Sequence, residues 1–169
     1  MKTTILKFFT LSVAIFAFST ISFGQANNAT GTAQAAANIV TPISITKNVD
    51  LNFGNIAAAS TAFTVELDES GTRTSNGGTG TLPSVTGTVT AAEFTASGLT
   101  GATYAVTLPS SITITDGTNN MTVDDFNSNA TLTLTGGSET FNVGATLNVG
   151  ANQVAGAYTG TFNVVVNYN

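Results

Sequence analysis

The sequence predicts an all-β protein that folds as a single immunoglobulin-like antiparallel β-sandwich, with a jelly roll as the alternative. Thr is the commonest residue and Val, Ile and Phe are plentiful, and β-branched and aromatic residues favour strands. Gly and Asn, which serve turns, recur between short segments of alternating apolar and polar residues. Many short strands at such spacings are typical of a sandwich or barrel. We find no repeat period that would indicate a solenoid or propeller.

The first 24 residues predict a secretory signal peptide. Lys2 and Lys7 precede an apolar run over residues 8–18, and the small residues Ser22 and Gly24 predict cleavage before Gln25. The run is shorter than the roughly 20 residues that span a bilayer, which disfavours the alternative of an uncleaved anchor. No Cys follows, so we expect no lipid attachment. The predicted organisation is a signal peptide, residues 1–24, and a sandwich domain, residues 25–169.

The charge of the predicted mature chain disfavours two classes of partner. Residues 25–169 contain two basic residues, Lys47 and Arg73, and nine acidic residues, a net charge of −7. With this charge balance, the chain has no extended positively charged surface for binding nucleic acid or an anionic membrane. The absence of Cys means that packing and sheet hydrogen bonds, with no disulfide, must stabilise the fold. We expect an exported protein, at the cell surface, extracellular or periplasmic, with no membrane span after signal removal.

About nine or ten strands are expected along the mature chain, from eleven strand-like segments. Residues 69–81 are the longest segment that resembles a loop, and Asp116-Gly117 indicates a hairpin turn. Gly136-Gly137 indicates another turn. The strand-like segments, in order, are 39–46, 49–56, 62–68, 83–90, 91–97, 102–109, 111–115, 120–126, 130–135, 139–150 and 157–169.

The last of these segments, "AYTGTFNVVVNYN", has the clearest alternation. A period of two with one apolar face is the signal of a half-buried strand. We therefore expect Phe162 and Val164, near its middle, to be buried. The residues of the predicted inner face are Tyr158, Gly160, Phe162, Val164, Val166 and Tyr168.

The segment from Ala29 to Ile39 also alternates, with small apolar residues on one face and mostly polar residues on the other. Two interpretations remain open at this point. Residues 30–40 are the first strand of their own sandwich, or they are a donor strand that completes the sheet of another subunit. In the second case the C-terminal strand borders the acceptor groove. The candidate assembly residues are Ala29, Ala33, Ala35, Ala37 and Ile39 in the first segment, and Phe162, Val164, Val166 and Tyr168 in the second.

The residue types exclude several catalytic mechanisms. There is no His, Cys or Trp, so Ser-His-Asp and Cys-His nucleophile systems and zinc or copper sites built on His or Cys are absent. Glu66, Asp68 and Glu69 cluster at the end of one strand, but a glycosidase needs two carboxylates that face a cleft. Glu66 and Asp68 share a polar face with no aromatic platform. We predict a solvated surface, no enzymatic activity and no cofactor.

A calcium loop is the other candidate site. Asp125, Asn127 and Asn129 match its first, third and fifth ligand positions. Ala130 stands where the loop needs Gly, and Gly136 stands where it needs Glu. We therefore predict an Asn-rich turn and no metal site here.

The three tyrosines, Tyr104, Tyr158 and Tyr168, lie on apolar faces of predicted strands. We predict core positions for them rather than a platform for stacking sugars. This weakens, without removing, the possibility of a glycan-binding module.

Three stretches resemble a known family: "ITKNVDLNFG", "AAEFTASGLTGATYAVTLP" and "GAYTGTFNVVVNYN". They are similar to the secreted Gram-negative bacterial domain-of-unknown-function family DUF4402, over residues 30–169. That family is more distantly similar to spore-coat-U-type and chaperone–usher pilin domains, which are immunoglobulin-like sandwiches that build surface fibres, so the resemblance implies the fold and the compartment more than a function. Many pilins carry a disulfide that this chain lacks.

The function that these observations predict is a non-catalytic secreted or cell-surface structural protein, in the manner of a pilin-like fibre subunit. The alternative is an extracellular binding module for a glycan or a surface protein. The expected partners are other copies of the chain or surface proteins.

Overall fold

The protein is built from β-strands. The structure, a computed structural model, describes residues 28–169, so the predicted signal peptide lies outside the described residues. Residues 39–169 form one compact unit. Its strands are β1 (Ser44–Val49), β2 (Phe63–Leu67), β3 (Arg73–Asn76), β4 (Ala92–Ser97), β5 (Tyr104–Thr107), β6 (Ser111–Thr115), β7 (Asn120–Ser128), β8 (Ser138–Val149) and β9 (Val165–Tyr168). A short 3-10 turn spans Thr135–Gly137, and residues 28–169 contain no α-helix. The all-β prediction is confirmed.

Strand β8 organises the larger sheet because both of its edges are paired. Along one edge its first half pairs with β4 and its second half with β2, both antiparallel. Strand β7 pairs with the opposite edge. The sheet then extends from β4 to β1, from β2 to β3 and from β7 to β6. Strand β1 therefore ends one side of this seven-stranded sheet, with β4 as its only strand partner.

Gly144 lies where β8 passes from one neighbour, β4, to the next, β2. It is buried, and a Cβ atom here would collide with the carbonyl oxygen of Leu67 and the side chain of Asn127. Leu67 ends β2, and Asn127 follows an irregularity in the pairing of β7 with β8. Glycine is therefore needed for the close approach of three strands at this position.

Strands β5 and β9 form a separate two-stranded antiparallel sheet, from Tyr104 opposite Tyr168 to Thr107 opposite Val165. Tyr104 and Val166 of this sheet are buried in the same apolar cluster as Phe94 of β4 and Phe141 of β8. Two antiparallel layers with an apolar interior between them constitute a β-sandwich. The predicted sandwich is therefore confirmed.

The apolar interior has two parts. One cluster lies under β2, β7 and the second half of β8, and its buried members are Phe53, Phe63, Val65, Leu67, Val123, Ala145, Leu147 and Val149. The other lies between β4, the first half of β8 and the smaller sheet, and its buried members are Ala92, Phe94, Ala96, Tyr104, Leu134, Phe141, Val143 and Val166. Leu51 and Phe126 pack against both clusters. These two residues join the two parts into one core.

The segment 51–57 is joined to residues 81–90 by four main-chain hydrogen bonds and is also held by the side chain of Arg73. It was predicted to be part of a strand, but it makes only isolated bridges, at Asn52 and Ala57. The guanidinium of Arg73 donates to the carbonyl oxygens of Phe53, at 2.5 Å, and Asn55, at 2.8 Å. These bonds satisfy main-chain acceptors that a neighbouring strand would otherwise bind.

Several other predicted boundaries are wrong. Residues 83–90 and 130–135 are not strands, although their sequences alternate, because each makes only one isolated bridge to another segment. Strand β3 lies inside the predicted loop 69–81, where it pairs with β2 through its main chain. The first strand begins at Ser44, five residues after the predicted start at Ile39.

Candidate assembly groove

An open groove runs between β1 and the segment that precedes β9. Its walls are β1 and residues 160–164, and its cavity has a volume of about 440 Å³. Ile45, Lys47 and Val49 line the β1 wall, and Phe94 and Ala92 of β4 also border the cavity. The inner face of the sandwich is therefore accessible along one side.

The main chain of residues 160–164 has no partner in the described part of the protein. β9 pairs with β5 only over Val165–Tyr168, and a single bridge joins Thr159 to Thr115. Between these points no main-chain hydrogen bond is made to another segment of residues 28–169. The predicted C-terminal strand over residues 157–169 is thus paired only at the Thr159 bridge and over Val165–Tyr168.

The side chains of this segment nevertheless keep the predicted alternation. Phe162 and Val164 are half-buried, and Thr161, Asn163 and Val165 are exposed. The expectation that Phe162 and Val164 are buried is therefore wrong, because both side chains are only partly buried. Both side chains lie on the predicted inner face, but the open groove leaves one side of each exposed. Val166 is buried and Tyr168 is half-buried, on the same face.

A second cavity, of about 300 Å³, shares Leu51, Gly160 and Phe162 with the first. Ile112 and Ile114 of β6 line its far side. The ring of Phe162 lies between the two cavities, with its centroid 6.2 Å from that of Phe94 and 5.0 Å from that of Phe126. The two cavities thus lie on either side of Phe162 along the C-terminal segment, and both are lined by apolar and polar side chains.

Tyr168 fixes one end of the groove. Its hydroxyl donates to the carbonyl oxygen of Thr41, at 2.8 Å, and accepts a hydrogen bond from the amide of Leu99, at 2.6 Å. Gly98 is required beside it, because a Cβ atom there would overlap the hydroxyl. The chain that enters β1 is therefore adjacent to the end of β9. Because Leu51, after β1, borders the same cavity as Gly160, the two walls run antiparallel to each other.

The N-terminal candidate segment is not a strand in this structure. Residues 28–43 contain no helix or strand, and every residue from Asn28 to Pro42 is exposed. Ile39 is 96% exposed. The interpretation of residues 30–40 as the first strand of their own sandwich is wrong here, because the first strand, β1, begins at Ser44. The alternating face of Ala29, Ala33, Ala35, Ala37 and Ile39 is left without a sheet.

The residues of the β1 wall are not among the predicted assembly residues. Ile45, Lys47 and Val49 alternate with polar residues, but the predicted strand boundary at residue 46 divided them between two segments. The signal that was present is the period of two across residues 45–49, which continues beyond the predicted boundary.

A family model described as a domain of unknown function, DUF4402, matches residues 43–168 of this chain. The chain belongs to the DUF4402 family. The match spans β1 to β9 and hence both walls of the groove. Searches found no matching curated protein and no matching solved structure.

The clustered carboxylates Glu66, Asp68 and Glu69 of this DUF4402 domain have different environments. Glu66 is exposed on β2, whereas Asp68 follows the strand and accepts hydrogen bonds from the hydroxyl of Ser70 and the amide of Thr72. These bonds, that from Ser70 above all, lower the pKa of Asp68. Asp68 therefore stabilises a turn, while the neighbouring Glu69 accepts a bond from Asn142 at its main-chain carbonyl.

The candidate calcium residues lie at the irregularity of β7. Asp125 has a positive φ of 49°, and its side chain is exposed. The side-chain oxygen of Asn129 accepts the amide of Asn142, at 2.7 Å, so it is used within the chain. In residues 28–169 no group of three or more His, Cys, Asp or Glu side chains is arranged to hold a metal ion.

The hydroxyls of all three tyrosines are bonded within the chain. That of buried Tyr104 donates to Glu139, at 2.8 Å, and that of Tyr158 donates to the carbonyl of Val154, at 2.7 Å. Burial, together with the bond to Glu139, raises the pKa of Tyr104. All three hydroxyls are therefore bonded within the chain, but the predicted core position is confirmed for Tyr104 alone, because Tyr158 and Tyr168 are half-buried.

Glu139 holds the loop before β8. Its carboxylate accepts bonds from the amides of Thr131 and Thr133 as well as from Tyr104. Burial works to raise its pKa, but these hydrogen bonds outweigh burial and lower the pKa. Finally, no helix within residues 28–169 has the length and apolar character needed to traverse a bilayer.

Proposed function

We propose that this DUF4402 protein is an exported, non-catalytic structural subunit that self-associates by β-strand addition. The groove between β1 and residues 160–164 accepts the N-terminal segment, residues 29–39, of a second copy. The observation that carries the proposal is that both walls of an apolar groove have unpaired main chain, while the same chain carries an exposed alternating segment that belongs to no sheet.

Main-chain hydrogen bonds supply much of the interaction. An incoming strand binds the free edge of β1 on one side and the free edge of residues 160–164 on the other, as in other cases of strand addition. β1 has six residues, a length of about 20 Å at 3.3 Å per residue. The eleven residues from Ala29 to Ile39 extend to about 35 Å, so the segment is long enough to fill the groove.

The side chains fit by size. The groove is lined by large groups, among them Phe94, Phe162 and Val164, which leave room for small side chains. Ala and Gly at alternate positions of the segment meet this requirement. Each buried methyl group contributes only about 0.8 kcal/mol, so the main-chain bonds provide more of the affinity than the side chains do.

Other observations support the remaining parts of the proposal. The predicted signal peptide supports export, to the periplasm, the cell surface or the medium. The distant resemblance to pilin and spore-coat-U domains supports a fibre. The absence of His and Cys from the sequence supports a role without nucleophilic catalysis.

The test compares the mature chain with a variant that lacks residues 25–38. We expect the mature chain to form ladders of oligomers in size-exclusion chromatography with light scattering, and fibres in electron micrographs. The deletion variant should stay folded and monomeric, and it should bind a synthetic peptide of residues 28–40. A peptide with Asp at positions 33 and 35 is the matched control and should not bind.

Two outcomes would contradict the proposal. If the deletion unfolds the domain, residues 25–38 stabilise their own chain rather than a second copy. If the mature chain remains monomeric but its groove captures a strand of a different surface protein, the chain is a binding module and not a self-assembling subunit.

A further inference from the structure

Lys47 is the only lysine of residues 28–169, and it lies on the inner side of the groove. It is directly opposite Phe94 of β4, which is buried in the core. Residues opposite each other in an antiparallel pair point to the same side of the sheet. The stem of Lys47 therefore lies on the inner wall beside Ile45, just before the irregularity in the pairing of β1 with β4 between Lys47 and Val49.

The ammonium group of Lys47 is held at the rim of the groove. Its Nζ lies 2.6 Å from Oδ1 of Asp50, and the two side chains are 54% and 79% exposed. The charge thus stays in water while its aliphatic stem covers part of the wall, as is usual for lysines at the boundary of apolar surfaces. The position of the stem depends on what occupies the groove above it.

An inward-pointing charge on an edge strand is a known means of preventing unwanted strand pairing. A strand with bulky apolar side chains over Lys47 would enclose the ammonium group, and burial of a charge without adequate pairing is costly. A strand with Ala or Gly leaves space for the stem to reach Asp50. The same charge therefore penalises bulky strands and tolerates small ones.

We infer that Lys47 is the residue that selects the donor strand: it admits strands with small side chains at the inward positions and rejects bulky apolar ones. This inference rests on the proposed function. It accounts for the choice of Ala and Gly in residues 29–37, which contribute little apolar area. It also predicts that the groove rejects the apolar C-terminal segment, residues 162–168, of a neighbouring copy.

The experiment is a set of double-mutant cycles in the full mature chain, with the dissociation constant of self-association measured by analytical ultracentrifugation. Ala33→Leu, Ala35→Leu and Ala37→Leu are each made with and without Lys47→Met, which keeps the length of the side chain and removes its charge. Lys47→Arg is the conservative variant, and Asn48→Ala, on the outer face of the same strand, is the matched control. Circular dichroism verifies that each variant is folded.

We expect at least one Leu substitution to weaken assembly tenfold or more when Lys47 is present and twofold or less in the Lys47→Met background. Lys47→Arg should behave like the natural chain, and Asn48→Ala should not change the effect of Leu. If the chain assembles and all three cycles are additive within about twofold, Lys47 does not select the donor and only this inference is overturned. A mature chain that stays monomeric at every concentration overturns the proposed function as well.

Discussion

Replacement of Phe162 by Ala tests whether the groove is open in the unassembled protein. The ring is half-buried and is packed on two sides, against Phe94 and Phe126. A Phe→Ala change at a fully buried position costs about 3–5 kcal/mol. Because one side of the ring faces the groove, we expect about half of that loss, about 2 kcal/mol, in the free energy of unfolding of the monomer.

The remaining part of the loss should appear in assembly. When a donor strand fills the groove, it covers the exposed side of Phe162, and this contact is absent in the Ala variant. A contribution of about 1–2 kcal/mol corresponds to self-association weakened by about tenfold, since 1.4 kcal/mol is a factor of ten in an equilibrium constant.

The assay is urea denaturation at a protein concentration below that of assembly, followed by sedimentation at higher concentrations. With a denaturant slope of about 2 kcal/mol per molar urea, the Phe162→Ala midpoint should fall by about 1 M. Thr161→Ala, an exposed residue on the opposite face of the same segment, is the control and should change stability by less than about 0.5 kcal/mol.

Either of two results would refute this reasoning. A loss of 3–5 kcal/mol in the monomer with no effect on assembly would mean that the ring is already enclosed and that the groove is closed in solution. Equal and small losses for Phe162→Ala and Thr161→Ala would mean that the inner face of the segment is wrongly assigned.

Three further predictions concern the ends of the chain and its pH dependence. Tyr168→Phe removes the hydroxyl that binds Thr41 and Leu99, so it should cost about 1–2 kcal/mol and speed amide hydrogen exchange at Leu99; Tyr158→Phe is the control, and unchanged exchange at Leu99 in the Tyr168 variant would contradict the role of this hydroxyl. The pKa of Glu139 is lower in the folded protein than its ordinary value, because hydrogen bonds from Thr131, Tyr104 and Thr133 outweigh burial, so the unfolded chain binds more protons in the acidic range. The contribution of Glu139 to stability is therefore present above the ordinary glutamate pKa range and is lost as the pH falls through the folded pKa. Glu139→Gln should flatten the dependence of the urea midpoint on pH in that range. An unchanged slope would contradict this role of Glu139. Intact mass of the exported protein should show cleavage between Gly24 and Gln25, whereas a mature chain that retains residues 8–18 would disprove the signal peptide.

The local sequence pattern predicts the direction of side chains but not the pairing of strands. The alternation of Phe162, Val164 and Val166 predicted the correct inner face, although only Val166 of the three lies in a paired strand. The same kind of pattern in residues 83–90 predicted a strand that does not form. Alternation indicates which side of an extended segment is apolar. It does not indicate whether another segment of the same protein pairs with it.

The opposite error occurred at β3. Arg73–Asn76 lacks apolar alternation and was predicted to be loop, yet its main chain pairs with β2. An edge strand needs only main-chain hydrogen bonds on one side, and these do not depend on apolar side chains. The contribution of Arg73 to the segment that follows β1 is likewise a long-range contact that no local pattern indicates.

The sequence by itself determined the class of the protein: all-β, without disulfides, with alternating faces and a family resemblance confirmed by the match to residues 43–168. The tertiary structure alone decided that β1 and residues 160–164 both have edges without a main-chain partner among residues 28–169, and that an open groove separates them. The physical reason is the distance along the chain between the residues that determine each property. The direction of a side chain along an extended chain is a local property, with a period of two, whereas an empty strand position is defined by segments more than a hundred residues apart in the chain.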